Sequence, residues 1–217
     1  MQLRRRHTRP DPEYEAFIPS SRQVVSSVAP ACDRPVAVQA VAHAEITLLM
    51  DALAFSAAKH RNQRRKDVDA SPYINHPIAL ARVLAVEGNV TDHKALAAAI
   101  LHDTLEDTRT TYEELQEQFG RTIAEVVREV SDDKSLSKDK RKQLQIEHAR
   151  HLSHRARLVK LADKTCNVRD MAAHPPHGWE LSRRREYFDW AKQVIDQIRG
   201  TNARLEAAFD EAFAARP

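Results

Sequence analysis

The stretch ALAAAILHDTLEDT, residues 95–108, decides the fold and raises the first chemical question. Its apolar first half predicts a buried helix. That helix then continues into His102 and three acids, Asp103, Glu106 and Asp107. A buried carboxylate without a partner costs several kcal/mol or takes up a proton. A positive group is therefore expected close by, unless this end of the helix reaches solvent.

The spacing of these four side chains favours a shared site. On one continuous helix over 91–107, His102 and Glu106 lie on one face, and Asp103 and Asp107 lie on the adjacent face. A divalent cation favours neutral imidazole and ionised carboxylate together. The octamer alone leaves open the alternative of a polar helix end in water.

The rest of the chain also has helical periodicity. Apolar residues such as Ile46, Leu49, Met50 and Leu53 recur at intervals of three and four from His43 onward. No alternating strand pattern is present, and four glycines are few for a turn-rich β fold. The sequence therefore predicts an all-α bundle of about eight to ten helices. Its central helices are predicted at 77–87, 91–107, 111–119, 121–131, 138–152 and 154–173.

Composition limits the partners that are expected. The 34 basic and 31 acidic residues give a net charge of +3, which is too balanced for a protein that coats nucleic acid. Cys32 and Cys166 lack metal-type spacing and suggest no disulfide framework. No apolar run approaches the roughly 20 residues of a membrane span. We therefore expect a cytoplasmic protein that binds neither nucleic acid nor membrane.

The first 40 residues differ from the rest of the chain. They contain five of the ten prolines among arginines and serines, which predicts a disordered or loosely attached extension at 1–40 before a folded domain at 41–217. A transit peptide fits poorly because Asp11, Glu13 and Glu15 are acidic. A start codon assigned too far upstream is the other interpretation.

Two further residues complete a candidate metal-binding set. His76 precedes Pro77, a favoured first helical residue, and is therefore predicted at the N-cap of its helix. Asp163 interrupts the apolar stretch LVKLADKTCN. Separately, His76 is more often a structural histidine, and Asp163 a partner for Lys160 or Arg169. Together with His102 and Asp103 they form a mixed nitrogen and oxygen set, which suits Mn²⁺, Fe²⁺ or Zn²⁺ better than Ca²⁺.

This arrangement resembles the HD phosphohydrolase superfamily: a histidine before one helix, an adjacent His-Asp pair and a later aspartate in a KLAD helix. More closely, the chain resembles the hydrolase domain of the RelA/SpoT alarmone enzymes and the stand-alone small alarmone hydrolases of the metazoan SpoT-homologue type. The resemblance covers residues 43–214. It rests on the strings KHRNQRRKD (59–67), PYINHP (72–77), LHDTLEDT (101–108), DDKSLSKDKRKQLQIEHA (132–149), LVKLADKTCNVRD (158–170) and EYFDWAKQV (186–194).

The resemblance implies an HD-domain fold and a role for each member of the set. It implies that one Mn²⁺ is held by four ligands, and it assigns water activation and proton transfer to Glu106 and Asp107. The reaction implied is removal of pyrophosphate from the 3′ position of (p)ppGpp, which leaves GDP or GTP. The four implied ligands are His76, His102, Asp103 and Asp163.

Substrate contacts are implied in the same way. The basic run at 59–66 is either a solvated helix face or a set of cations for a substrate with two diphosphates. The run SRRRE, with Arg183 to Arg185, is expected to be surface. The resemblance implies contacts from Arg65, Lys66, Asn167 and Tyr187, with Lys138 and Arg141 as candidates for a diphosphate arm.

Two departures from the family pattern affect the pocket rather than the ligands. Thr165 and Cys166 replace a common Leu-Tyr beside Asn167, and SLSK at 135–138 replaces a usual Thr-Leu-Pro-Lys. Base preference is therefore open, and ppApp or the 2′-phosphate of NADPH are alternative substrates. The alternative that is not an enzyme is a catalytically silent helical module that binds RNA or a protein partner. The sequence leaves a homo-oligomer possible.

Overall fold

The fold is that of a computed structural model, which describes residues 36–67 and 69–217, with side chains from residue 41 onward. The extension predicted at 1–40 therefore lies outside the described residues, except for its last five residues, where α1 begins. In the described part the chain forms helices and no β-strand, apart from one isolated bridge between Arg64 and Pro72. The predicted all-α bundle is confirmed.

The helices follow one another along the chain, and a π-helical turn at Val83–Glu87 extends α2. Their bounds are α1 Val36–Lys59, α2 Asn75–Arg82, α3 His93–Leu101, α4 Thr104–Asp107, α5 Tyr112–Phe119, α6 Arg121–Val130, α7 Lys138–Ala149, α8 His154–Ala173, α9 Leu181–Asp196 and α10 Ala203–Ala214.

Helix α8 lies at the centre of the bundle of residues 42–217. It packs against α2, α3, α6, α9 and α10. Leu161 and Ala162 of α8 are fully buried, as are Phe188 of α9 and Phe209 of α10. Burial of each large apolar side chain contributes roughly 1.5–3 kcal/mol. Asp163 directly follows this apolar segment, so a carboxylate is fixed where the packing is tightest.

The predicted helix over 91–107 is wrong in one important respect, because it is interrupted at His102 and Asp103. Asp103 has φ −94° and ψ 0°, the bridge conformation between two helices. Thr104 Oγ1 donates to Leu101 O at 2.7 Å, so the side chain satisfies a carbonyl left open at the end of α3. Consecutive residues of a regular helix point about 100° apart. The break allows His102 and Asp103 to face one site together.

The predicted N-cap position of His76 is also wrong. Helix α2 begins at Asn75, with Ile74 as its N-cap, so His76 is the second helical residue. The preceding turn already makes helical bonds: the Asn75 amide donates to Pro72 O at 3.1 Å, and the His76 amide donates to Tyr73 O at 3.0 Å. Pro77 then occupies the first turn, where a missing amide hydrogen costs little.

Helix α1 corrects the expectation that no apolar run reaches the length of a membrane span. Its segment Val41–Lys59 has 19 residues and a mean hydropathy of 1.3, enough for a span by length and composition alone. Within this segment Ala52 and Ser56 are buried, and the other residues are partly or fully exposed. Ile46 and Met50 are 60% and 55% exposed on its other side.

Candidate active site

The four predicted metal ligands come together between α2, α3 and α8. Nitrogen or oxygen atoms of His76, His102 and Asp103 lie within 4.8 Å of one another. Asp163 Oδ1 lies 3.3 Å from His76 Nε2 and 3.9 Å from His102 Nε2. Both histidines are buried. We call these four residues the ligand cluster; their donor types suit a divalent transition ion.

His102 provides the clearest sign that the ligand cluster suits a cation. Its Nδ1 donates to Ala99 O at 2.8 Å, which directs Nε2 toward the carboxylates. Nε2 is buried, with Asp103 Oδ2 2.9 Å away and Asp163 Oδ1 3.9 Å away. Burial opposes the charged ring, yet the Asp103 carboxylate raises the pKa of His102 to about 9. A positive charge at this position is therefore strongly favoured.

Asp163 is held by neighbours that differ from the partners considered from the sequence. Lys164 Nζ lies 3.1 Å from Asp163 Oδ2, and Asn167 Nδ2 donates to Asp163 Oδ1 at 2.5 Å. Lys160 instead donates to Val130 O, and Arg169 pairs with Glu87. Burial alone would raise the pKa of Asp163, but the Lys164 ammonium holds it well below its ordinary value. The carboxylate therefore stays ionised.

The two predicted catalytic carboxylates lie on α4, beside the ligand cluster. Lys134 bridges them: its Nζ lies 3.1 Å from Glu106 Oε1 and 2.6 Å from Asp107 Oδ1. The Asp132 amide donates to Glu106 Oε2 at 3.0 Å. Burial raises the pKa of Glu106, so this carboxyl holds a proton more readily than an exposed one. Tyr73 donates to Asp103, and its oxygen lies 3.3 Å from Asp107 Oδ2.

All six of these residues border one cavity of about 330 Å³. Four of the predicted substrate contacts also line it: Arg65, Lys66, Asn167 and Tyr187. Arg65 donates to Asp170 at 2.5 Å and lies 3.4 Å from the Asn167 side-chain oxygen. The cavity therefore brings carboxylates, imidazoles and cations together in one place.

The two remaining predicted contacts lie farther out. Lys138 is 5.4 Å from the centre of the Trp179 ring, and the Arg183 guanidinium covers the same ring at 4.0 Å. Arg141 lines a separate cavity of about 200 Å³ and comes within 3.8 Å of Asp132. Arg183 is exposed, as expected for this run, and it stacks on the same ring as a candidate contact.

Positive charges gather around Lys138: Arg183 shares the Trp179 ring with it, and Lys142 and the cavity residue Lys66 are also close to it. Burial lowers the pKa of Lys138, and the nearby cations lower it further. Among the residues that the structure describes, none of these cations is in a salt bridge. We call this group the cationic rim; its members are Lys66, Lys138, Lys142 and Arg183.

Comparison with known proteins agrees with this geometry. The family model described as HD domain matches residues 52–189. This chain belongs to the HD-domain family. It is 53% identical over 169 residues to the guanosine-3′,5′-bis(diphosphate) 3′-pyrophosphohydrolase MESH1 of Danio rerio, a match that covers 78% of this chain and 94% of that protein. The Homo sapiens protein of the same name is 51% identical, with 79% and 96% covered.

A solved structure supports the same assignment. It is the structure of a protein described as "A metazoan ortholog of SpoT hydrolyzes ppGpp and plays a role in starvation responses". The TM-score is 0.76 at 50% identity, over 78% of this chain and 95% of the other. The predicted resemblance to the HD-domain hydrolases is therefore confirmed for nearly the whole described part.

Some HD-domain residues in this site were missed from sequence alone. Lys134 follows the two aspartates of DDKSLSK, and nothing in that string shows that it bridges Glu106 and Asp107. Tyr73 lies in PYINHP, where its sequence position suggests only a residue that packs before a helix. Lys164 adjoins Asp163, and this adjacency was an available signal, because a buried carboxylate needs a cation nearby.

Proposed function

We propose that this chain is a Mn²⁺-dependent guanosine-3′,5′-bis(diphosphate) 3′-pyrophosphohydrolase that converts (p)ppGpp to GDP or GTP and pyrophosphate. One observation carries the proposal: the ligand cluster and the pair Glu106 and Asp107 border the same 330 Å³ cavity as the cations Arg65 and Lys66. Relatives at 53% and 51% identity bear the name of this activity.

Different side chains of the cavity would serve different parts of such a substrate. Arginine and lysine side chains bind phosphate oxygens, so Arg65 and Lys66 suit a nucleotide with two diphosphates. Tyr187 and Asn167 lie beside Arg65 and offer a ring and an amide to the nucleoside. The 3′ diphosphate would then extend toward the ligand cluster.

A divalent ion in the ligand cluster supplies Lewis acidity, because it offsets charge on the attacked phosphoryl group and makes water more acidic. Manganese suits the mixed imidazole and carboxylate donors, as do iron and zinc. His102 Nε2 and Asp163 Oδ1 face the same point, 3.9 Å apart. The four residues of the ligand cluster would hold this ion.

Glu106 and Asp107 are the proposed proton carriers. In the hydrolysis, water oxygen forms a bond to the 3′-linked phosphorus, the bond from that phosphorus to the ribose oxygen breaks, and pyrophosphate leaves. One carboxylate accepts the proton from water, and the other carboxyl gives a proton to the ribose oxygen. The raised pKa of Glu106 favours it as the proton donor. Asp107, whose Oδ1 lies 2.6 Å from the Lys134 ammonium, would take the other role.

The decisive experiment supplies purified protein with ppGpp, ppApp and NADPH side by side, with Mn²⁺ and after chelation. Release of pyrophosphate from ppGpp, lost on chelation and restored by Mn²⁺, is the expected result. Preferred turnover of ppApp, or phosphate release from NADPH, would keep the chemistry and change the substrate. No turnover of any of the three with metal present would favour a binding module.

Two further expectations remain predictions. The near balance of 34 basic and 31 acidic residues is the reason to expect a nucleotide rather than a nucleic acid as the ligand. A cytoplasmic location also follows from the sequence, and fractionation of cells with and without detergent tests it against the apolar α1. Recovery of the chain in the membrane fraction would contradict that location.

A further inference from the structure

Asp107 is held from its main chain as well as from its side chain. Helix α4 has only four residues, and the last carbonyls of any helix lack partners within the helix. The Gln63 amide supplies a partner here: Gln63 Nε2 donates to Asp107 O at 2.5 Å. The contact joins the segment after α1 to the end of α4, and its two residues are 44 positions apart in the sequence.

Gln63 is in turn fixed by His60. His60 Nδ1 lies 2.5 Å from Gln63 Oε1, and an amide oxygen only accepts, so Nδ1 carries the hydrogen. This contact determines the orientation of the amide, with its nitrogen toward Asp107. His60 itself is 1% exposed, so its ring has little freedom to move.

The same histidine also supports the side-chain contact to Asp107. The rings of His60 and Tyr73 stack with their centres 4.8 Å apart and an angle of 27° between them. The Tyr73 oxygen then lies 3.3 Å from Asp107 Oδ2. His60 therefore braces two separate contacts, one to the main chain and one to the carboxylate of the same residue.

We propose that Gln63, braced by His60, is a positioning residue that aims the Asp107 carboxylate at the reacting atoms. The proposal rests on the hydrolase function proposed above and adds a residue that does not touch substrate. A displacement of about 1 Å in a catalytic group can cost about 10²-fold in rate. The bond from Gln63 to Asp107 O opposes such a displacement of Asp107, because α4 has only four residues and few hydrogen bonds of its own.

The test replaces Gln63 by glutamate, which keeps the size and the acceptor but removes the donor toward Asp107 O. With ppGpp turnover by the parent chain in hand, we expect kcat to fall by about 10²-fold, with KM within about twofold of the parent. Bound metal per chain should not change. Gln63→Met, which adds no charge, should lower kcat in the same direction and keeps the test valid if the first variant folds poorly.

Asn62 offers a matched control. It is an exposed amide directly before Gln63, so Asn62→Asp makes the same chemical change without a contact to α4. We expect that variant to keep the kcat and KM of the parent. Full kcat in both Gln63 variants would overturn the proposal and leave the hydrolase function standing.

A double variant separates positioning from general stability. If Gln63 acts through Asp107, then Gln63→Met combined with Asp107→Asn should be no slower than Asp107→Asn alone. If the two losses multiply instead, Gln63 supports the fold rather than Asp107, and the positioning role is refuted. Thermal unfolding of each variant provides the independent measure of folding.

Discussion

The ligand cluster and the cationic rim lie at two parts of one site and are built in opposite ways. The histidines of the ligand cluster are buried and its carboxylates are partly buried, and each group lies within about hydrogen-bond distance of an opposite charge or a polar neighbour, as Asp163 does with Lys164. The rim gathers like charges around Lys138.

This difference teaches where each part acts. The side chains of the ligand cluster already lie close together without a bound metal or substrate. Substitutions in the cluster should therefore affect metal binding and the chemical step. The rim stores repulsion among Lys138, Lys142 and Arg183, and an anion relieves it. Substitutions in the rim should therefore affect substrate affinity, and the two sets of variants should separate in KM and kcat.

The largest effect is expected from Asp103→Ala. It removes one ligand and the partner of His102 Nε2, so bound metal and turnover should both fall to background. Metal content by elemental analysis and pyrophosphate release measure the two effects. Asp51→Ala, an exposed aspartate on α1, is the control and should keep both. Activity in a metal-free Asp103 variant would contradict the metal site.

The next largest effect should separate proton transfer by Glu106 from metal binding by the ligand cluster. Glu106→Gln keeps the bond from the Asp132 amide but cannot transfer a proton, so kcat should fall by about 10²–10⁴-fold with metal content unchanged. Steady-state assays at saturating substrate measure it. Loss of metal in parallel with loss of turnover would show that Glu106 belongs to the ligand cluster instead.

The ligand cluster could be predicted from sequence because its chemistry is visible locally. Histidines and aspartates within apolar helices, such as His102 and Asp163, are costly unless they share a cation. The break at Asp103 was not predictable in this way. It depends on the hydrogen bond from Thr104 to Leu101 O and on the packing that makes a bridge conformation acceptable, and a run of helix-forming residues conceals both.

The rim was harder to predict for the opposite reason. In SRRRE, Arg183 has the same sequence environment as a solvated arginine, and only the approach of α9 to α7 brings it beside Lys138. Gln63 was concealed in the same way, because its partner Asp107 lies 44 positions away. Polar residues that act across the fold carry no local pattern.

A smaller effect is expected from the rim. Arg183→Met removes one cation of the rim, so if the rim binds phosphate, KM for ppGpp should rise by roughly tenfold while kcat changes little. Steady-state kinetics at low and high salt measure it, and the difference should shrink as salt screens the rim. Arg185→Met is the control, because Arg185 donates to the Pro217 oxygen. A fall in kcat at constant KM would place Arg183 with the chemical step.

The smallest effect is expected from a pair outside both regions. Arg169 donates to both oxygens of Glu87 at 2.9 and 2.8 Å and joins α8 to the π-helical turn. This contact lowers the pKa of Glu87 from its ordinary value of 4.5, so its stabilisation is complete above that value and is lost as pH falls through the lowered pKa. Glu87→Gln should therefore reduce the free energy of unfolding by about 0.5–1 kcal/mol near pH 7.

Denaturant unfolding of the parent and of Glu87→Gln at about pH 7 and about pH 3 tests that sign. The difference between the two proteins should shrink at the lower pH, because the Glu87 carboxylate of the parent takes up a proton as pH falls through its lowered pKa. KM and kcat should not change, since neither Glu87 nor Arg169 borders the cavity. A change in kcat would mean that α8 transmits strain from this pair to Asp163, and the ligand cluster would then depend on contacts well beyond its own neighbours.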